Sequence, residues 1–305
     1  MKIVFMGTPD FAVPALKRLA GEKEHTVAAV FTQPDKPRGR KMILTPPDVK
    51  VCAAELGIPV YQPGSMKSGE ALNTLTKLNP DVIVVAAYGQ ILPKPVLDLP
   101  KYGCVNIHGS LLPKYRGAAP IQQSVLDGEK VTGVTTMLMD VGLDTGDILL
   151  TAETEIGENE TAGELFERLA LLGGELIVKT LDALQKGSVT PKKQDESLAT
   201  HTSKIDKSLC MIDFNKTANE VHNKVRGLNP WPVATAEILG RRVKVYSTRL
   251  SNLSGEAGTV LSTKPLTVAC GEKSVELSEL QPEGKKRMSS DAFLAGHKLS
   301  VGDKL

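Results

Sequence analysis

Short apolar runs punctuate the first half of the chain at regular intervals. Lys2–Met6, Val27–Phe31, Asp81–Ala86, Gly103–Ile107 and Gly133–Leu138 are rich in Val, Ile and Phe and lack alternating polar positions. All five read as strands, and Val27–Phe31 and Asp81–Ala86 are typical of strands buried on both faces of a parallel sheet. Between them the period changes. Pro9–Leu19 places Phe11, Leu16 and Leu19 on one side of a helix. Glu164–Leu184 carries Leu165, Leu169, Leu172, Leu176 and Leu184 at helical spacings, with Thr161 and Glu164 spaced as a capping box before it. Strands alternating with helices predict an α/β, Rossmann-like, mostly parallel sheet.

The pattern changes after residue 186. Residues 186–208 are polar and charged, with Gly187 and Pro191 and no apolar period. They read as a linker, which gives a domain over 1–189, a connection over 190–208 and a second domain over 209–305. The second domain opens with one short helix, from Asn215 or Lys216 to Arg226. It continues in short strand-like runs that include Arg242–Tyr246, Gly258–Leu261, Leu266–Ala269 and Ser274–Leu277, separated by Gly, Ser, Asn and Pro. That pattern predicts a small β-barrel.

Composition narrows the class. The 305 residues are 41% hydrophobic, ordinary for globular chains, and no apolar run approaches the length of a membrane span. Met1–Met6 is too short for the apolar region of a signal peptide, and Asp10 follows soon after. The four cysteines, Cys52, Cys104, Cys210 and Cys270, are far apart and read as reduced thiols of a cytoplasmic protein. The five histidines are equally scattered, so no metal site is expected. Residues 1–189 hold 19 Lys and Arg against 22 Asp and Glu, whereas 209–305 hold 14 against 10. A basic second domain beside a slightly acidic first one fits an anionic partner, although surface lysine alone accounts for an excess of this size.

Candidate chemistry gathers at Cys104–Gly117. Asn106 and His108 are two apart, so on an extended segment their side chains share a face, before Gly109 and Pro113 force the chain out of the sheet. An amide that can donate a hydrogen bond then lies beside a group that can carry a proton near neutral pH. Acyl transfer needs both, a donor for the developing oxyanion and a base for the nucleophile. By itself, an Asn-x-His is more often a structural Asn and a core His. A second run, Met139–Ile148, packs three Asp and two Gly behind an apolar strand. A carboxylate there, set against His108, would raise its pKa and orient it. Asp144 is chosen, although spacing alone does not select it over Asp140 or Asp147. Gly7 follows the first strand, but Gly7–Ala12 lacks Gly-x-Gly-x-x-Gly, which excludes a dinucleotide site.

Asn106-x-His108, Ser110-Leu-Leu-Pro113 and a later Asp144 together resemble the formyltransferases that use 10-formyltetrahydrofolate. The resemblance extends over nearly the whole chain, through Met6–Phe11, Gln33–Arg40, Ala87–Pro93 and Asn229–Pro232. It implies a folate co-substrate, no metal, and an OB-like second domain. It implies that Asn106, His108 and Asp144 are catalytic. It also implies that Ser110, Leu111, Leu112 and Pro113, with Tyr88, Gln90, Ile91 and Leu92 and with Asp140, Val141 and Gly142, line the folate site.

The acceptor is read from other residues. Arg38, Arg40 and Lys41 sit in a Pro/Gly-rich segment ahead of Met42, Ile43 and Leu44. A flexible basic loop with three adjacent apolar side chains suits contact with phosphates followed by wedging against bases. The resemblance implies that this insertion meets the acceptor stem of initiator methionyl-tRNA, whose α-amine receives the formyl group from a monomeric enzyme. Lys285, Lys286 and Arg287, and Arg241, Arg242 and Lys244, are further contact candidates. Trp231, between Pro230 and Pro232, is read as a packing anchor ahead of a stacking platform. Two other readings stay open: a formyltransferase acting on a small amine such as an amino sugar nucleotide, and an RNA-binding protein on a retired catalytic fold.

Overall fold

The computed structural model of the chain describes residues 1–39 and 41–305, and the backbone alone of Arg38. The five apolar runs of the first half fall on β1, β2, β6, β7 and β9 of ten strands: β1 (Lys2–Gly7), β2 (Thr26–Phe31), β3 (Lys36–Arg38), β4 (Ile43–Thr45), β5 (Val60–Tyr61), β6 (Val82–Ala86), β7 (Cys104–His108), β8 (Arg116–Gly117), β9 (Val131–Leu138) and β10 (Ile148–Glu155). Seven of them form one sheet in the order β10-β9-β7-β6-β1-β2-β5. The pairs β5–β2, β2–β1, β1–β6 and β6–β7 are parallel, and β9 runs antiparallel to β7. All of β6 is buried, which is why its sequence is an unbroken apolar run.

Helices α1 (Val13–Ala20), α2 (Asp48–Glu55), α3 (Gly69–Leu78) and α4 (Lys94–Leu97) follow the strands. One side of the sheet presents Val4, Met6, Ile83, Val85 and Cys104 to Met66, Leu75, Leu92 and Val96. Helix α5 (Pro120–Leu126) comes next, and the long α6 (Ala162–Lys186) follows β10. It begins as its sequence requires. The Glu164 amide donates to Thr161 Oγ1 at 3.2 Å, and the Thr161 amide donates to Glu164 Oε2 at 2.8 Å. Leu165, Leu169, Leu176, Ile177 and Leu181 are buried along one stripe. Each contributes about 1.5–3 kcal/mol on full burial. Gly173 lets this helix lie against β7, since a Cβ there would come within 2.8 Å of Ile107 Cγ2. Gly7 is a packing glycine as well; its Cβ would meet Ala12 Cβ at 2.8 Å.

Packing divides the chain into two units, and the cut interleaves in sequence. One unit holds Met1–Gly117, Thr132–Thr154 and Phe166–His201, and the other holds Ala118–Val131, Glu155–Leu165 and Thr202–Leu305. Part of the stretch read as a linker is structured within the first unit, where Lys192 bridges to Ile148. The second unit recruits two early segments through α7 (Ala218–Gly227). Arg226, 5% exposed, donates to the carbonyls of Gly157 at 3.0 Å and Glu160 at 3.1 Å. Gly227 leaves room for Leu126 of α5, whose Cδ2 would lie 2.8 Å from a Cβ there. A polar stretch without a period gives no local sign of such long-range pairing.

After the short strand β11 (His201–Thr202), the second unit is built on β12 (Ala234–Ile238), β13 (Arg241–Ser251), β14 (Val260–Thr263), β15 (Leu266–Ala269), β16 (Ser274–Pro282) and β17 (Met288–Ser289), with α8 (Ser290–Gly296) beyond. The order β12-β13-β16-β15-β14 is antiparallel throughout, and β17 pairs with β16. Residues of both outer strands, Ala236 and Val260, belong to one buried cluster with Val221 and Val225 of α7. The sheet therefore coils around its own core, and register shifts near Ser247 bend β13 to allow it. Trp231 departs from its expected role. It is 56% exposed, while Pro232 and Val233 beside it take the buried positions.

Candidate active site

The two residues that share a face of β7 stand at its carboxyl end, where ligands bind in sheets of this kind. Asn106 lies opposite Met137 and His108 opposite Thr135 on β9. Asn106 is half-buried, and among the described residues no hydrogen bond engages its amide. His108 is 6% exposed. Its Nε2 lies 2.9 Å from the Tyr115 carbonyl. A carbonyl only accepts, so Nε2 carries a hydrogen, and Nδ1 is the basic position of the neutral ring. Nδ1 faces Asp144 Oδ2 at 3.7 Å. That is too long for a direct hydrogen bond, and it leaves the carboxylate beside the ring.

Tertiary structure separates the three aspartates that spacing left equivalent. Asp140 is exposed and folds into its own loop, with Oδ1 accepting from the Gly142 amide at 2.9 Å and from Thr145 Oγ1 at 2.6 Å. Asp147 contributes its backbone carbonyl to Leu138 at 2.9 Å. Asp144 alone of the three faces His108, and its Oδ2 also accepts from the Gly117 amide at 2.8 Å. Its backbone is left-handed, with φ 54°. A non-glycine residue stays in that region only where its surroundings impose it.

Those surroundings include residues that the sequence reading did not single out. Gln194 Nε2 donates to the carbonyls of Asp144 and Gly146, both at 2.8 Å. Its Oε1 accepts from Arg116 Nε at 3.1 Å and Nη2 at 2.8 Å. Arg116, 1% exposed, also forks onto Glu196 at 2.9 and 2.8 Å. The Glu196 carboxylate, with Asp144 and Asp140 near, holds this guanidinium above its ordinary range, and Arg116 lowers Glu196 in turn. The available signal was Arg116, one of two cations with Lys114 just after the Asn-x-His turn; nothing marked Gln194.

The residues expected to line a folate site divide by exposure. Tyr88 is 2% exposed, with a buried hydroxyl that has no partner among the described residues, and burial pushes its pKa up to about 12. Leu92, Ser110 and Leu112 are also buried. Ser110 Oγ donates to the Lys114 carbonyl at 2.6 Å, and the Leu112 amide donates to Thr135 Oγ1 at 3.1 Å. Gln90 is held by the Met66 amide and the Pro63 carbonyl, at 3.0 and 3.1 Å. Pro113 accepts from the Thr200 amide at 3.3 Å. These residues are committed to contacts within the protein itself. Ile91, Val141 and Leu143 stand free, at 78%, 77% and 65% exposure, with Gly142 exposed beside them and Leu111 half-buried. Leu143 was not anticipated, although an apolar residue in an Asp/Gly turn was a visible sign.

The basic insertion is a hairpin rather than a loop. Strands β3 and β4 pair antiparallel, with Lys36 opposite Thr45 and Arg38 opposite Ile43. Gly39, at φ 72°, helps to turn the chain between them. Met42, Ile43 and Leu44 are 68%, 61% and 63% exposed, and Lys41 is exposed beside them. Arg40 and the side chain of Arg38 lie outside the described residues. In the second unit, Lys285 and Lys286 are exposed, whereas Arg287 pairs with Glu279 and lies 4.4 Å over the Tyr246 ring. Among the described residues, no group of three or more His, Cys, Asp or Glu could hold a metal, and no helix is long and apolar enough to cross a membrane.

The sequence pattern described as Formyl transferase matches residues 1–181, and that described as Formyl transferase, C-terminal domain, matches 204–298. The methionyl-tRNA formyltransferase of Citrifermentans bemidjiense is 49% identical over 304 residues, 99% of this chain and 95% of that protein. That of Clostridium novyi is 48% identical over 306 residues, 99% of this chain and 98% of that protein. An N-formyltransferase from Helicobacter canadensis, solved with folinic acid and dTDP-3-aminofucose, superposes with a TM-score of 0.68 at 21% identity, over 91% of this chain and 99% of that one. At 21% identity that likeness speaks for the fold alone. Matched by both patterns and by relatives along almost its whole length, this chain belongs to the formyl transferase family.

Proposed function

We propose that this chain transfers the formyl group of 10-formyltetrahydrofolate to the α-amine of initiator methionyl-tRNA, acting as a monomer in the cytoplasm. The observation that carries this reading is the 49% identity, along 99% of the chain, to a methionyl-tRNA formyltransferase. The exposed Lys41–Leu44 hairpin supports a nucleic-acid acceptor over a small amine. Four free, buried cysteines suit a reducing compartment. The His108–Asp144 pair is built within one chain, so a second copy adds nothing to it.

The site residues suit such a folate. Ile91, Val141 and Leu143 offer apolar surface to a pterin ring, and the open Asn106 amide offers a donor. When bound, the folate supplies an activated formyl carbon. The acceptor amine attacks that carbon, and Asn106 donates to the oxyanion that forms. His108 Nδ1 takes the proton that the amine sheds, and the Tyr115 carbonyl keeps the ring in the tautomer that allows it. Asp144 stabilises the resulting imidazolium. The proton then returns to the folate nitrogen as the intermediate collapses.

The test is direct. The protein is incubated with 10-formyltetrahydrofolate and either methionyl-tRNA or an amino sugar nucleotide, and the formylated product is identified. Formylmethionyl-tRNA is the expected product. Formylation of the sugar alone would overturn the reading.

A further inference from the structure

We propose that Gln194 is a positioning residue for the transfer step: it fixes the backbone of Asp144 so that the carboxylate faces His108. The inference rests on the catalytic role given to Asp144 above. Gln194 lies 50 residues from Asp144 in sequence, in a stretch without a regular helix or long strand. Both hydrogens of its amide are used on one loop, on the carbonyls of Asp144 and Gly146. Its oxygen is used on two donors of Arg116. Arg116 has no acceptor to offer, so the amide can point only one way. Glu196 anchors the other edge of the guanidinium.

The same arginine segment reaches Asp144 a second time, because the Gly117 amide donates to Asp144 Oδ2. The main chain and the side chain of Asp144 are therefore tied to one buried cation and its neighbour by separate bonds. This matters because Asp144 holds a left-handed backbone, which relaxes if the restraint is lost. A relaxed loop moves the carboxylate away from Nδ1, which it already faces at 3.7 Å. Gln194 then governs how closely the Asp144 carboxylate sits beside His108, although nothing requires it to touch either substrate.

Gln194→Glu tests this at nearly constant size. The new side chain still accepts from Arg116 but turns an oxygen toward the two carbonyls. The expected result is a kcat lowered roughly 10- to 100-fold, the range that small misplacements produce, with the KM for 10-formyltetrahydrofolate within about twofold of the parent. In an Asp144→Asn background, the same change should lower kcat by less than about twofold, because the charge it positions is gone. A milder variant, Glu196→Gln, loosens Arg116 from the exposed side of the cluster and gives the same pattern on a smaller scale should Gln194→Glu fail to fold. Equal fold losses in both backgrounds, or an unchanged kcat per folded molecule, overturn the inference while leaving the catalytic assignment standing. An Asp144→Asn enzyme that turns over at the parent rate overturns both.

Discussion

His108 and His222, taken from different units among the buried histidines, show how differently burial can be used. His108 is 6% exposed and His222 is 3% exposed. His222 has a partner at each nitrogen, Thr248 Oγ1 at 2.8 Å from Nδ1 and the Glu158 carbonyl at 3.0 Å from Nε2. The carbonyl takes the Nε2 hydrogen and the hydroxyl can donate to Nδ1, so the neutral ring is fully satisfied. His108 has its carbonyl too, but its other nitrogen faces a carboxylate across a gap. One ring is a finished joint, and the other keeps a basic position that can still take a proton. The partner inventory separates the two, and residue type and depth do not.

The largest effect expected from that contrast lies at β7. Asn106→Ala should lower kcat roughly 100- to 1,000-fold, the usual loss for one oxyanion donor, with folate binding nearly kept. Near-normal turnover would remove the distinction between the two regions. The reciprocal change, His222→Ala, should leave kcat per folded molecule within about twofold while destabilising the second unit by about 2 kcal/mol, since it strands the buried Thr248 hydroxyl and removes a packed ring. Urea unfolding followed beside steady-state rates decides between these outcomes.

Acid sharpens the comparison further. Burial lowers the His222 pKa below the ordinary 6.5, so the unfolded chain binds this proton more readily than the folded one. The stability contributed by the neutral ring is complete above about pH 6.5 and is lost as pH falls through the lowered folded value. His25, buried beside the N-terminal amine, is lowered as well and acts in the same direction. The urea midpoint should therefore fall below pH 6.5, and His222→Gln should flatten that decline. A slope unchanged by the substitution would mean that another group carries it.

Gly173→Ala probes the support of β7 from behind. The added methyl meets Ile107 at 2.8 Å, so α6 or β7 must shift, at about 1–3 kcal/mol for an overpacked core. Turnover should fall with stability, unlike in Asn106→Ala, where stability is kept. The smallest effect is expected on the outer surface of the second unit. Replacing Lys285 and Lys286 with Ala should reduce the salt dependence of tRNA binding by about 0.9 in log–log slope for each lost phosphate contact. Arg287, already paired with Glu279, should matter less than either lysine. A salt slope untouched by the double change would leave that unit without a phosphate-binding role at this turn.

The shared face of Asn106 and His108 was legible because its information is local. Two side chains two residues apart on an extended segment share a face whatever surrounds them. The exposed apolar trio at Met42–Leu44 was legible for a similar reason, but its hairpin pairing was not, because Lys36–Arg38 carries little strand signal of its own. Trp231 was misjudged because two prolines beside an aromatic look like packing, whereas the buried places went to Pro232 and Val233. The residues expected around a folate differ in depth, which the sequence did not show. Sequence proximity joined Tyr88 and Leu92 to Ile91, although the first two face the core and the third faces solvent.

By itself, the sequence determined the buried parallel strands, the capped helix behind them and the Asn106–His108 pair, all set by periodicity and near-neighbour hydrogen bonds. Tertiary structure decided which of three aspartates meets His108, joined Gln194 and Arg116 to that loop, and drew residues 118–131 and 155–165 into the second unit. Those choices depend on bonds between residues tens of positions apart. Chain closure and packing set such bonds, and neither leaves a mark on the local pattern of polar and apolar side chains.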